Sequence, residues 1–256
     1  AYHGSMVSGI IGAVRNNGMG VNGIATAVKI MALRSIPNGD EYDKDVALSI
    51  RYAVDNGAHI INMSFGKGYS PMKSEVYAAI KYAESKGVLM IAASGNEGQD
   101  VDVITHYPTP YSKKGNLVST WLTVGANSRD FEDKMTASFS NYGAEKVHVF
   151  APGVKVISIS PDDNYDMMNG TSFSCPVVTG VAALVWSYYP ELSAIELREI
   201  LMISSVMYKN MKVNLPGSFD DGRVPSVKFG KLSESGGVVN AYYALQMAER
   251  RREEGK

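Results

Sequence analysis

The sequence predicts an α/β fold of three layers, in which a parallel sheet lies between helices on both faces. Apolar runs of strand length alternate with longer stretches of helical period, and the connections between them are short. Residues 88–93 are apolar throughout, as expected of a parallel strand that is covered on both faces. The 256 residues, of which 45% are hydrophobic, suffice for one large core, so we predict a single domain over residues 1–256.

The elements of the first half follow from local sequence patterns. Apolar residues at helical spacing predict a buried helix over residues 4–14, and the Asn- and Gly-rich residues 16–23 predict a loop. The next predicted elements are, in order, a strand over 27–33, a helix over 40–56, a strand over 59–63, a helix over 71–86 and a strand over 88–93.

Beyond residue 96 the alternation is weaker. The Pro-, Tyr- and Asp-rich residues 100–118 predict a surface loop of the kind that shapes a cleft, and residues 206–235 predict an irregular insertion. The remaining predicted elements are strands over 121–124 and 147–150, a long helix that follows Gly170 and ends near Pro190, a helix capped by Ser193 with Glu196 in the capping-box position, and a terminal helix over 239–251.

Composition argues against several classes of protein. A formal net charge of −1 gives no basis for binding nucleic acid or an anionic membrane surface. No apolar run reaches the roughly 18 residues typical of a membrane helix. Cys175 is the only cysteine, so no intrachain disulfide can form.

Ser172 is the strongest candidate for a chemically active residue. It follows Gly170, which allows a tight turn, and it precedes a small and apolar run long enough for a buried helix. At a helix N-terminus, unpaired backbone N–H groups and the helix dipole favour an oxyanion beside the serine. A Ser or Thr N-cap on an ordinary core helix would explain the same residues, so the rest of the chain has to decide between the two interpretations.

Two further motifs decide in favour of chemistry. His3 and Gly4 stand directly before an apolar helical stretch, and Asn96 lies in the sequence Ser-Gly-Asn-Glu-Gly. In this order, and about 90 and about 75 residues apart, the three motifs resemble the histidine, asparagine and serine motifs of the subtilisin-like serine proteases (subtilases, peptidase family S8). The resemblance implies a subtilisin-like fold and the hydrolysis of peptide bonds through an acyl-enzyme.

The resemblance also implies a role for each catalytic residue. A serine hydroxyl is almost fully protonated at neutral pH, so Ser172 needs a base, and the imidazole of His3 is suited to that task. The Asn96 side chain and the Ser172 backbone N–H would stabilise the oxyanion. The other three histidines have no partner motif, and we assign them no catalytic role: His59, His106 and His148.

Two segments resemble the walls of the subtilase substrate cleft. An extended substrate would pair with one of them through its main chain, which gives affinity with little sequence preference. Small residues opposite Phe65 predict room for a sizeable apolar or aromatic side chain, whereas Glu97 at the rim would favour a basic one. The predicted wall residues are Ser64, Phe65 and Gly66 on one side and Ala93, Ser94 and Gly95 on the other.

The aspartate of the subtilase triad is not found. In the family it lies in Asp-Ser-Gly or Asp-Thr-Gly, before the histidine, and neither tripeptide occurs here. The sequences that begin at Asp55 and Asp220 have a similar outline but follow no apolar strand. We therefore predict a domain that is incomplete at the N-terminus, with the aspartate outside this chain. Because loss of this aspartate alone lowers turnover about 3 × 10⁴-fold in subtilisin itself, we expect the chain alone to be nearly inactive.

Partners and location follow from the resemblance. It implies a polypeptide substrate and a secreted or cell-envelope protein. A missing central strand would expose apolar sheet edges, so we also expect a homodimer or pairing with the missing N-terminal segment. Calcium is common in subtilases, and residues 16–22 resemble one calcium-binding loop, but we assign no metal ligands and no cofactor in this sequence.

Two alternatives stay open. The missing aspartate would also suit a subtilase-like piece that binds peptides or assembles with partners without cutting. An esterase of the α/β-hydrolase type is disfavoured, because Gly170-x-Ser172-x-Ser174 is not a Gly-x-Ser-x-Gly elbow and because the histidine precedes the serine.

Overall fold

The computed structural model describes residues 2–25, 27–36, 39–112, 115, 117–130, 132–218 and 224–255. The helices in these residues are α1 Tyr2–Gly12, α2 Asp43–Asp55, α3 Lys73–Ser85, α4 Thr171–Tyr188, α5 Ala194–Ile203 and α6 Ala241–Glu253. The strands are β1 Ile60–Met63, β2 Leu89–Ala93, β3 Trp121–Asn127, β4 Val149–Pro152, β5 Val156–Ser160, β6 Asn164–Met168, β7 Val206–Met207, β8 Lys212–Asn214, β9 Ser226–Lys228 and β10 Gly237–Val238.

The main sheet has six strands in the order β1-β2-β3-β4-β10-β7. The first five are parallel to their neighbours, and β7 pairs with β10 in the antiparallel sense. Two antiparallel hairpins, β5-β6 and β8-β9, lie outside this sheet.

Both faces of the sheet are covered by helices, which confirms the predicted three-layer α/β class. Along β2, alternate side chains enter different cores, since successive residues of a strand point to opposite faces. Leu89 and Ile91 pack with α4, α5 and α6, whereas Met90 packs with α2 and α3. The strand β2 is apolar throughout because neither of its faces is exposed to solvent.

One predicted strand was wrong. Residues 27–36 contain no strand, and Ile30, Met31 and Leu33 are exposed rather than paired. An extended segment becomes a strand only when a neighbour satisfies its backbone groups, and no described residue forms a ladder with this one. The other predicted helices and strands are present within a few residues of their expected bounds, and the capping box of Ser193 and Glu196 is confirmed.

The segment predicted as an irregular insertion contributes to the core. It carries β7, β8 and β9, and its Val213, Phe229 and Leu232 are fully buried. The Phe229 ring lies 5.0 Å from the ring of Phe150 on β4, centroid to centroid. Residues 219–223 lie outside the described residues. None of the helices in the described part of the chain has the length and hydropathy needed to cross a membrane.

His148 is a buried histidine that serves the fold. The ring Nδ1 of His148 accepts a hydrogen bond from the Thr123 backbone N–H (2.8 Å), and the backbone N–H of His148 donates to the Thr123 carbonyl (2.9 Å). Burial, and secondly the nearby Arg198 guanidinium, lower the pKa of His148 to about 3. Glu234 lies on the other side of the ring, with its Oε2 3.8 Å from Nε2.

We expect His148 to make the protein less stable in acid. The unfolded chain takes up a proton near pH 6.5, whereas the folded chain does so only near pH 3, so stability falls as the pH drops through this window. The largest slope from one group is about 1.4 kcal/mol per pH unit. Urea unfolding between pH 7 and pH 4 should show a shallower loss in His148→Asn, which keeps an acceptor for Thr123 and does not titrate. His59→Asn, at an exposed histidine, is the control, and equal slopes in all three proteins would contradict the assignment.

Candidate active site

The N-terminus of α4 lies at the carboxyl ends of β1 and β2. Gly170 is the N-cap residue of the helix, with φ +150° and ψ 152°, a conformation that side chains disfavour. Ser172 is the second residue of α4, so its backbone N–H is among those that have no acceptor within the helix. Residues at this end of a parallel sheet lie where ligands usually bind in α/β proteins.

Asn96 is hydrogen-bonded to the N-terminus of α4. Its Oδ1 accepts hydrogen bonds from the backbone N–H (2.8 Å) and the hydroxyl (3.0 Å) of Thr171, the residue before Ser172. Because the oxygen is held in this way, Nδ2 is the end of the amide that remains available as a donor. The structure thus brings together two of the three predicted catalytic residues through Thr171.

His3 and Ser172 are not hydrogen-bonded to each other. The Ser172 hydroxyl donates to the Ser64 carbonyl (3.1 Å), and no described residue is hydrogen-bonded to the His3 ring. The imidazole lies against Phe173, with ring centroids 5.5 Å apart. His3 is an exposed residue, yet partial desolvation of its ring lowers the pKa of the imidazole, so the ring is neutral at neutral pH and able to accept a proton.

A buried network that the sequence did not reveal joins β1 to α4. Asn62 on β1 accepts hydrogen bonds at Oδ1 from the Thr179 hydroxyl (2.9 Å) and the Cys175 thiol (3.2 Å). Its Nδ2 donates to Ser64 Oγ (2.9 Å). The signal in the sequence was a lone polar residue in an apolar strand, which usually needs buried partners.

The two predicted walls of the substrate cleft face a third segment. Lys67 and Tyr107 exchange two backbone hydrogen bonds of 2.9 Å, and this pairing brings His106 alongside Gly66. A Cβ atom on Gly66 would lie 2.2 Å from His106 Nε2. Phe65 packs partly against the core formed with α2 and α3. His106 therefore lies between Gly66 of the first predicted wall and Gly95 of the second.

Asn141 organises the second wall, and sequence reasoning missed it. Its Nδ2 donates to the Ser94 carbonyl (2.9 Å) and to Glu97 Oε2 (2.6 Å). Its Oδ1 accepts from the backbone N–H groups of Glu97 (3.2 Å) and Gln99 (2.8 Å). Within this wall Ala93 and Ser94 are buried, whereas Asn96 and Glu97, which follow it in the chain, are exposed. The amide side chain therefore fixes the course of the chain around Gly95.

The loop that resembles a calcium site uses amide oxygens internally. Asn22 Oδ1 accepts from the Asn16 N–H (3.1 Å), and Asn17 Oδ1 accepts from the Met19 N–H (3.0 Å). Calcium prefers six to eight oxygen ligands. The described residues contain no group of three acidic, His or Cys side chains placed to hold a metal ion. Calcium binding by a longer protein stays a prediction.

A parallel α/β sheet with a serine at a helix N-terminus, beside an asparagine held from the same helix, is an arrangement of the subtilisin class. The Subtilase family model matches residues 1–235, and the chain belongs to that family. It is 37% identical to M-protease of Shouchella clausii (strain KSM-K16) over 218 residues, or 84% of this chain and 52% of that protein. It is 36% identical to Subtilisin DY of Bacillus licheniformis over 203 residues, or 78% of this chain and 68% of that protein.

Solved structures give the same picture. The "S41 Psychrophilic Protease" matches 94% of this chain and 77% of its own with a TM-score of 0.75 and 29% identity. The chain spans about half the length of M-protease.

We expect Asn62→Ala to destabilise the protein. The substitution leaves the buried Thr179 hydroxyl without its acceptor, which typically costs about 1–3 kcal/mol. The Cys175 thiol loses one of its two acceptors and keeps the Ile91 carbonyl at 3.2 Å. Urea unfolding measures the change. Asn164→Ala, on the exposed strand β6, is the matched control and should be nearly neutral. Adding Thr179→Val to Asn62→Ala should recover part of the loss, and no recovery together with a neutral Asn62→Ala would contradict the network.

Proposed function

We propose that this chain is the part of a serine endopeptidase that carries the serine, the histidine and the oxyanion asparagine. The observation that carries the proposal is the double hydrogen bond from Thr171 to Asn96 Oδ1. It leaves the Asn96 Nδ2 and the Ser172 backbone N–H as two donors at one helix end. Such preorganised donors are the usual means of stabilising a tetrahedral intermediate in acyl transfer.

The reaction would proceed in two halves. Ser172 Oγ attacks the substrate carbonyl while His3 accepts the hydroxyl proton, and the Asn96 and Ser172 donors bind the oxyanion. His3 then gives the proton to the leaving amine as the peptide C–N bond breaks, which leaves an ester on Ser172. Water attacks this ester with His3 again as base, and Ser172 is regenerated. The attack requires the Ser172 hydroxyl to exchange its bond to Ser64 for one to His3.

The proposed aspartate lies outside this chain. His3 has no carboxylate partner among the described residues, and its ring is held only by packing against Phe173. Strand β1 pairs on one side with β2, and its other edge has no partner among the described strands. We propose that a strand carrying the aspartate pairs with this edge.

The substrate would be a polypeptide that binds in extended form along Ser64–Gly66. A secreted or cell-envelope location is proposed on family membership alone. The alternative is a piece that binds peptides or assembles without cutting them. One observation favours it for the isolated chain, since Ser172 donates to Ser64 rather than to His3.

We expect a fluorophosphonate probe at pH 8 to label this chain slowly and only at Ser172. The Ser172 oxygen displaces fluoride from phosphorus, and its proton passes to His3, so the reaction needs the nucleophile and base but no substrate pocket. Mass spectrometry of the digested protein identifies the modified residue. Adding the segment that bears the aspartate should raise the rate by up to about 3 × 10⁴, the size of its effect in subtilisin itself.

Two variants act as controls for this labelling. Ser172→Ala should abolish it, and Asn96→Ala should lower the rate in the reconstituted protein by about 10²–10³, as the corresponding asparagine does in subtilisin. Labelling at another serine, or a rate indifferent to Asn96, would reject the assigned roles. A folded protein that stays unlabelled with the added segment would favour the assembly alternative.

We expect the isolated chain to self-associate through the free edge of β1. Unpaired backbone groups of an edge strand tend to pair with another copy. Light scattering at micromolar concentration should give twice the mass of the chain. A protein that includes the proposed strand should be monomeric, because the edge is covered. A single monomer peak for the isolated chain would exclude the homodimer.

A further inference from the structure

His106 occupies the space between the two walls of the candidate substrate cleft. A Cβ atom on Gly66 would lie 2.2 Å from its Nε2, and one on Gly95 would lie 2.9 Å from its Cε1. Each wall therefore has a glycine where it touches the imidazole, since any larger residue would collide with the ring. The ring closes the gap between β1 and β2 beyond their carboxyl ends.

The backbone holds this histidine in place. Its neighbour Tyr107 pairs with Lys67 through two hydrogen bonds, so the segment runs along the first wall as a short antiparallel bridge. The His106 side chain is 14% exposed. Behind it lies a cavity of about 30 Å³, lined among others by Ser94, His106 and Thr123. This volume suits a water molecule or two and is too small for a large side chain.

The charge at the rim comes from Glu97. Its Oε2 accepts the hydrogen bond from Asn141 and lies 4.0 Å from His106 Nδ1. Burial lowers the pKa of His106, against the opposing effect of Glu97, so the imidazole is neutral at neutral pH. The space in front of His106 is consequently short and carries the Glu97 carboxylate at its rim.

We propose that His106 is a specificity-determining residue that restricts the substrate residue before the scissile bond to small uncharged side chains such as Gly, Ala and Ser. This inference rests on the proposed function, since the walls are assigned from the peptidase interpretation. Aromatic side chains would collide with the imidazole, and acidic ones would meet Glu97. Long basic side chains would lack depth. The sequence alone predicted the opposite, because the position of His106 depends on a pairing between segments 40 residues apart in the chain.

The test is a set of tetrapeptide anilides that differ only in the last residue: Ala, Phe, Lys or Glu. In the full parent protein, kcat/KM for Ala should exceed that for each of the others by at least about tenfold. His106→Ala should raise kcat/KM for Phe by at least about tenfold, because the volume of the imidazole and the cavity behind it become available. His106→Gln, which keeps a side chain of similar length, should retain the preference for Ala. His59→Ala, on the exposed histidine beside Trp186, is the matched control and should behave as the unmodified protein.

The outcomes separate this inference from the proposed function. Fluorophosphonate labelling of Ser172 does not involve the pocket, so equal labelling in all variants shows that the catalytic residues are intact. With labelling intact, a preference of the unmodified protein for Phe, Lys or Glu overturns the role of His106. An unchanged ratio of Ala to Phe in His106→Ala overturns it as well. Absence of labelling in the unmodified protein would instead reject the proposed function, on which the inference depends.

Discussion

The junction between the N-terminus of α4 and the ends of β1 and β2 is the constraint on which the site depends. Asn62 holds the helix from β1, and Asn96 holds it from the loop after β2. Both are amides, which accept and donate without carrying charge, so they can be satisfied in a low-dielectric interior at little cost in desolvation. A charged group in the place of Asn62 would need a buried counter-ion. The N-terminal half of α4 is thereby fixed by neutral groups, one on β1 and one in the loop after β2.

The packing of α4 explains why this junction is rigid. The helix is buried along most of its length, and it carries small residues where other elements approach closely. At Gly180, a Cβ atom would lie 2.7 Å from the Cβ of Ile24, the residue that follows the loop after α1. Ile24 is itself bonded to the Ile10 carbonyl (3.0 Å). Ile24 thus links α1, which carries His3, to α4, which carries Ser172. The link consists of close packing and a backbone hydrogen bond and needs no ion pair.

The spacing of apolar residues in the sequence predicted the sheet and most helices, because apolar residues recur where an element is buried. The hairpin β5-β6 was missed, since Asn164–Met168 is largely exposed and shows no clean alternation. The prediction of a strand over 27–33 was wrong. The segment has the apolar pattern of a strand, but no strand in the described residues pairs with it. In the site, Ser172 and Asn96 were identifiable from short motifs. Asn141 and His106 were not, because each acts on residues far away in the chain, and only the folded arrangement brings them together.

The hydrogen bonds of the junction do not place a negative charge beside His3. His3 is an exposed residue, but one side of its ring lies against Phe173, and partial desolvation lowers the pKa of the imidazole and favours its neutral form. In the proposed reaction the neutral ring accepts the proton of Ser172, yet the same desolvation destabilises the imidazolium that results. A carboxylate beside the ring would reverse the second effect, since an opposite charge stabilises the protonated form. The proposed nucleophile and oxyanion donors are therefore positioned by neutral hydrogen bonds within this chain, whereas stabilisation of the proposed base in its charged form requires an anion that those hydrogen bonds do not supply.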